Sequence, residues 1–174
     1  MARVTHAVNV PIITGENLYG RHGFRKLIET QACDGVHLDI PKLGGLLEAK
    51  RISDFADQYA IQGDRSQETE ARMKPAPTRG LDANISGVAY IWSAAHNPAS
   101  PVGTIASVHA AASMRNFRIH ELANYVSWWP DLVIKEGPFW EKGYFIIQDK
   151  PGYGVEINPD VAKAHLAPGE VWWG

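Results

Sequence analysis

The chain has 174 residues, 45% of them hydrophobic and 21% charged, with a formal net charge of −2. That length and balance suit a soluble globular domain with a sizeable core and exclude a disordered or fibrous chain. The charge is small and no run of five basic residues occurs, so there is no field for nucleic acid or an anionic membrane, and no apolar run reaches the length of a membrane span.

The first sixteen residues carry one arginine and a short apolar stretch broken by Asn9 and Pro11, which does not fit a signal peptide. Cys33 is the only cysteine, so no internal disulfide forms. Both features point to the cytoplasm, and the lone thiol reads as a small buried residue rather than a nucleophile.

Val8 to Thr14 is rich in β-branched residues and ends at Gly15-Glu16, which predicts a strand. Phe24, Leu27 and Ile28 then fall at helical spacing within 21–32. A second strand is expected over Gly35–Ile40, and a helix follows Gly44-Gly45 with Ile52, Phe55, Ala56 and Tyr59 on its apolar face. Strand, helix, strand, helix with short connections is the pattern of parallel βα units.

Gln62 to Gly87 is polar and without period, and reads as a loop or an insert. The βα rhythm resumes with a strand over Val88–Ser93. Ser100 caps a helix with Pro101 at its first position, running to about Met114. A short strand over Asn116–His120 ends at Glu121. Beyond it Trp128, Trp129, Trp140, Tyr144 and Phe145 cluster, Gly143 to Asp149 alternates into a turn at Lys150–Gly154, and a short helix spans Pro159–His165. The expected organisation is thus two βα units over 1–61, an insert at 62–90, a βα unit and a last strand over 91–135, and an aromatic hairpin tail over 136–174.

Glu16, Asp39, His96 and Glu121 each stand at or just after the C-terminal end of a predicted strand. In a parallel βα barrel those ends converge on the face that holds the active site. Three carboxylates and one imidazole there suit metal-assisted proton abstraction: a hard oxygen ligand for the metal, a histidine for the proton, a carboxylate to orient the histidine. Singly each has a plainer role. Glu16 is then a solvated loop residue, Asp39 a turn brace and His96 a turn residue bonded to backbone. His6, His22, His37, His109, His120 and His165 read as structural or surface residues. Lys42-Leu43-Gly44-Gly45 before a helix is a weak phosphate signal. The tail aromatics suit packing more than stacking on sugars.

The segments Pro11–Asn17 (PIITGEN), Asp39–Gly45 (DIPKLGG), Ala95–Pro101 (AHNPASP), Asn116–Glu121 (NFRIHE) and Asp149–Ile157 (DKPGYGVEI) resemble, as an ordered set, the mandelate racemase subgroup of the enolase superfamily near its sugar-acid dehydratases. The resemblance implies the C-terminal portion of a (β/α)-barrel: barrel strands 6 and 7 in 1–61, the last strand in 91–135, and roughly three βα units with a hairpin tail. It implies a magnesium-dependent lyase with Glu16 as a metal ligand, His96 as general base or acid, Asp39 holding its imidazole, and Glu121 bonding the substrate carboxylate as it becomes an enediolate. Loss of the neighbouring hydroxyl then gives a 2-keto-3-deoxy acid. The expected partner is a small sugar acid, with gluconate, galactonate and tartrate left open, and the full-length family is expected to be homo-oligomeric. The family's capping domain, earlier strands, first two metal ligands and lysine base have no counterpart in this sequence, so the chain alone is expected to be inactive. A racemase or epimerase of the same superfamily, or a non-catalytic carbohydrate-binding or oligomerisation fragment, are the alternatives.

Overall fold

The computed structural model describes residues 1–59, 90–123, 126–134 and 140–173. The segment 62–90, read as an insert, lies outside the described residues except for Tyr90. The chain opens with a four-residue helix, α1 (Ala2–Thr5), which the sequence did not announce. Thr5 is buried, and its Oγ1 donates to the Ala32 carbonyl at 2.7 Å.

Four strands follow in one parallel sheet, ordered as in the chain: β1 (Ile13–Thr14), β2 (Gly35–Asp39), β3 (Trp92–His96) and β4 (Phe117–His120). Helices α2 (Gly20–Glu29), α3 (Ile40–Leu43), α4 (Leu46–Ala56) and α5 (Pro101–Ala112) fill the crossovers. The fold is α/β, with three βα units and a closing strand.

β1 is shorter than the Val8–Thr14 run. Pro11 has no N–H to offer a ladder, and the buried Asp34 carboxylate takes the Ile12 N–H at 2.7 Å, so pairing starts only at Ile13. α2 stops at Glu29, ahead of Gln31 with its left-handed φ of 47°. α4 begins where Gly44 and Gly45 hold φ of 125° and 91°, conformations that cost glycine nothing. Its buried stripe is Ala49, Ile52, Ser53 and Ala56; Phe55 and Tyr59, expected on that face, sit at its edge in T-shaped contact at 5.2 Å. α5 has Pro101 first, as expected, but Ser100 satisfies the helix through its carbonyl, which accepts from Thr104 N at 2.8 Å, and makes no side-chain cap.

β3 lies farther along the chain than the apolar run over 88–93. Its register with β2, Gly35 opposite Trp92 through Asp39 opposite His96, outweighs the weak strand preference of Ala94 and Ala95 and puts His96 at the end of the strand itself. Phe24, Ile28, Val36, Leu38, Ala49, Ile52, Ala56 and Ala110 form the core between the sheet and its helices. Each large apolar side chain among them contributes about 1.5–3 kcal/mol by leaving water.

The tail differs most from expectation. Trp140–Glu141 (β6) pairs with Tyr144–Phe145 (β7) through a two-residue turn at Lys142 and Gly143, whose φ of 50° and 85° fit the right-handed twist of a tight hairpin. The turn at Lys150–Gly154 instead leads to β8 (Glu156–Ile157), which pairs with β5 (Val133–Ile134). Asn158 then caps α6 (Pro159–Ala164). No helix among the described residues is long and apolar enough to cross a membrane.

Candidate active site

Because side chains alternate along a strand, Gly35, His37 and Asp39 share one face of β2, and Trp92, Ala94 and His96 lie opposite them on β3. Val36 and Leu38 point the other way, into the helix layer. Asp39 and His96 thus lie on the face opposite Val36 and Leu38, at the C-terminal ends of the strands.

Asp39 and His96 are direct register partners, and Asp39 Oδ2 lies 3.0 Å from His96 Nδ1. The carboxylate can only accept, so Nδ1 carries the proton and Nε2 is the nitrogen turned to the site. Asp39 also has the plainer role considered for it: Oδ1 accepts from Lys42 N at 3.2 Å and caps α3. One carboxylate thus fixes both the turn and the imidazole, and it is buried while His96 is only half-buried.

Glu121 stands just beyond β4, its N–H donating to the Ala95 carbonyl at 3.0 Å. Its Oε2 accepts from Asn97 N at 3.1 Å and lies 4.0 Å from His96 Nε2. Asn97 is itself fully buried and exchanges hydrogen bonds with Thr104 of α5 at 3.0 and 3.2 Å, which anchors the loop that holds Glu121. His120 braces the same strand end from the helix side. Its Nδ1 donates to the Glu121 carbonyl at 2.6 Å and its Nε2 accepts from Ser107 Oγ at 2.9 Å. Burial pushes its imidazole below the usual histidine range.

Glu16, half-buried, follows β1. Its oxygens accept from Gly15 N at 3.2 Å and Asn17 Nδ2 at 2.9 Å, and Asn17 Oδ1 in turn accepts from Lys42 Nζ at 3.0 Å. Its own backbone N–H, and against burial the Gly15 N–H, hold the carboxyl below its ordinary value; His37 and His96 add to this through space. Asp39, His96 and Glu121 are therefore one cluster, with Glu16 near enough to feel the imidazoles but bonded to its own loop.

His37 belongs to this cluster, although it read as structural in the sequence. Its ring meets His96 edge-on at 5.0 Å and 80°, and its Nε2 lies 3.9 Å from Glu121 Oε2. Burial, and then His96, push its imidazole down, while Glu121, Glu16 and a bond to the Ala95 backbone act the other way. The signal was present: a residue two before Asp39 on a strand faces the same side. Asn97 was the other omission, visible only as a polar residue next to His96.

Among the described residues no group of three His, Cys, Asp or Glu side chains is arranged to hold a metal ion. The tail aromatics pack on one another and on histidines, with Trp128 stacked on His165 at 4.0 Å. A hollow lined by Pro101, Thr104, Leu122, Trp129, Trp140 and Phe145 contains no titratable side chain.

A family model described as enolase C-terminal domain-like matches residues 1–67 and 83–161. D-xylonate dehydratase of Haloferax volcanii is 34% identical over 168 residues, covering 96% of this chain and 33% of that protein. D-gluconate/D-galactonate dehydratase of Picrophilus torridus is 28% identical over 164 residues, covering 93% and 34%. Among solved structures, a mandelate racemase/muconate lactonizing enzyme-like protein of Rubrobacter xylanophilus superposes with a TM-score of 0.70 at 32% identity, over 94% of this chain and 34% of that one. A mandelate racemase/muconate lactonizing enzyme of Jannaschia shares the fold at a TM-score of 0.69 and 23% identity, over 98% and 36%. The chain spans about one third of the length of each.

Proposed function

The chain belongs to the enolase C-terminal domain-like family, and on that footing we propose that it carries the acid–base wall of a sugar-acid dehydratase. The observation that carries this is the Asp39–His96 pair, 3.0 Å apart at the ends of adjacent parallel strands. A hydrogen next to a carboxylate is very weakly acidic, so its removal needs a base of fixed geometry and charge stabilisation where the enediolate forms. His96 Nε2 is the proton-transfer atom, and Asp39 keeps the proton on Nδ1 and steadies the ring when it becomes imidazolium. Glu121, pinned by Asn97 N–H, donates a proton in a hydrogen bond to the substrate carboxylate as it becomes an enediolate. The hydroxyl on the next carbon then leaves as water, protonated by a general acid, and the enol so formed becomes a 2-keto-3-deoxy acid.

Glu16 offers one hard oxygen ligand, and a magnesium ion, which prefers a full octahedral set, needs others from outside the described residues. When bound, it supplies positive charge to the developing enediolate. The names of the Haloferax and Picrophilus relatives favour dehydration over racemisation by the same dyad.

The test is a chimera in which this chain replaces the matching third of the Haloferax relative, assayed for keto-acid formation from D-xylonate with magnesium. Turnover that falls by about 10²–10⁴ in His96→Asn supports the proposal. A folded chimera without turnover, or one indifferent to His96→Asn, overturns it. The chain by itself is expected to give negligible turnover.

A further inference from the structure

Three of the histidines outside the dyad give ring nitrogens to protein oxygens. His120 is bonded to Ser107 and Glu121, His109 lies 3.3 Å from the Tyr153 carbonyl, and His165 lies 2.9 Å from that of Val161. His37 also has a bond to the Ala95 backbone, and it differs from the three in that its Nε2 faces a carboxylate. It stands 3.9 Å from Glu121 Oε2, too far for a hydrogen bond, and His96 Nε2 stands 4.0 Å from the same oxygen. Two hydrogen bonds of about 2.8 Å that meet at one oxygen near a right angle span about 4 Å. Each imidazole is therefore separated from Glu121 by the distance that a single interposed oxygen bridges.

We propose that His37 is a substrate-contacting residue: its Nε2 and Glu121 Oε2 together hold one hydroxyl group of a polyhydroxy carboxylate whose reacting carbon lies at His96. This rests on the sugar-acid reading above. The position is built for it. Strand alternation turns His37 to the face of Asp39, the edge-on contact with His96 fixes its ring plane, and its side chain keeps 18% of its surface exposed. Its register neighbour Ala94 has no polar atom to offer in its side chain.

The choice of a hydroxyl follows from complementarity. With the His37 ring proton on Nε2, a hydroxyl donates to Glu121 Oε2 and accepts from that N–H, so both partners are satisfied at once. A substrate carboxylate has no proton to give Oε2, which already accepts from Asn97 N; in the proposed site it meets Glu121 through a proton on Oε1. A carbon chain without hydroxyls would leave both groups unpaired, and a site built to bond a hydroxyl discriminates strongly against its absence.

The experiment uses the full chain labelled with ¹⁵N in its histidine side chains, followed by long-range ¹H–¹⁵N correlation as D-xylonate is added, with valerate as the five-carbon acid lacking hydroxyls. D-xylonate should shift the His37 and His96 ring nitrogens along one saturation curve, and valerate should leave His37 unmoved. His37→Phe, which retains an aromatic edge against His96, should weaken D-xylonate binding by about tenfold or more, and His37→Asn should do the same, while His109→Gln stays at the wild-type affinity. A shift at His96 with His37 silent overturns this inference and leaves the sugar-acid reading standing. Silence at both counts against both. Binding by folded His37→Phe within about twofold of wild type also overturns it.

Discussion

Asp39 and His96 face each other across a single rung of the β2–β3 ladder, so the backbone register that builds the sheet also sets the 3.0 Å contact between their side chains. Asp39→Asn should therefore preserve the geometry while changing the chemistry. An amide can present N–H to Nδ1, which moves the ring proton to Nε2 and removes the base from the site. Histidine ¹⁵N shifts should report the tautomer change, and turnover of the chimera should drop by about 10²–10⁴. An unchanged His96 tautomer in Asp39→Asn would show that the pair does not set the proton's position.

A second contact fixes the opposite end of the same two strands. A Cβ on Gly35 would come within 2.8–2.9 Å of three atoms of the buried Trp92 ring. Gly35→Ala should cost about 1–3 kcal/mol, read from denaturant unfolding, because the indole has little room to retreat. Trp92→Phe should relieve the clash, since Trp92 Nε1 is buried without a hydrogen-bond partner among the described residues and phenylalanine forfeits none. The two changes should then couple, the double variant being less destabilised than the sum of the singles. Simple additivity would remove steric contact as the reason for this glycine.

These two contacts mark what a sequence displays and what it hides. Strand-end positions of Asp39, His96 and Glu121 are visible because chain order, βα period and turn residues are local, and in a parallel sheet local order fixes which ends converge. Register is not local. Neither the shift of β3 by three to four residues relative to its apolar run nor the approach of Trp92 to Gly35 can be seen without the partner strand. His37 was missed for a different reason: histidine is common in structural roles, and its face becomes informative only once Asp39 is placed two residues on. In the tail, the Lys142-Gly143 turn is a weak signal beside Lys150-Pro151-Gly152, and the pairing of β5 with β8 joins residues more than twenty positions apart.

The helix-side brace of Glu121 gives a prediction on the acid side. His120 is held neutral by burial, and its folded value is below the ordinary 6.5. The unfolded chain then binds the proton first as pH falls, so this residue's contribution is complete above about 6.5 and is lost as the pH drops through the folded value. Unfolding free energy measured at pH 7.5 and pH 5.5 should fall more in the wild type than in His120→Gln. The difference should stay under about 1.4 kcal/mol per pH unit, the limit for one linked proton, since the ring is only half-buried. Parallel pH curves for the two proteins would mean that His120 carries no linkage.

Cys33 sets the corresponding limit on the alkaline side. The thiol is 2% exposed, and burial, with Asp34 beside it, pushes it up from 9.0 to about 12. A raised folded value reverses the sign of the histidine case: the contribution is whole below pH 9.0, where both states hold the proton, and is lost as pH rises toward 12 because only the unfolded thiol ionises. Between pH 9 and 11 the wild type should lose stability faster than Cys33→Ala, by up to about 1.4 kcal/mol per pH unit, on top of whatever tyrosines and lysines contribute equally to both. Thiol-reagent labelling of the folded wild type should be slow across the same range, because the thiolate is the reactive form. Rapid labelling at pH 9 under native conditions, or a wild-type slope no steeper than that of Cys33→Ala, would contradict a thiol kept protonated by the core.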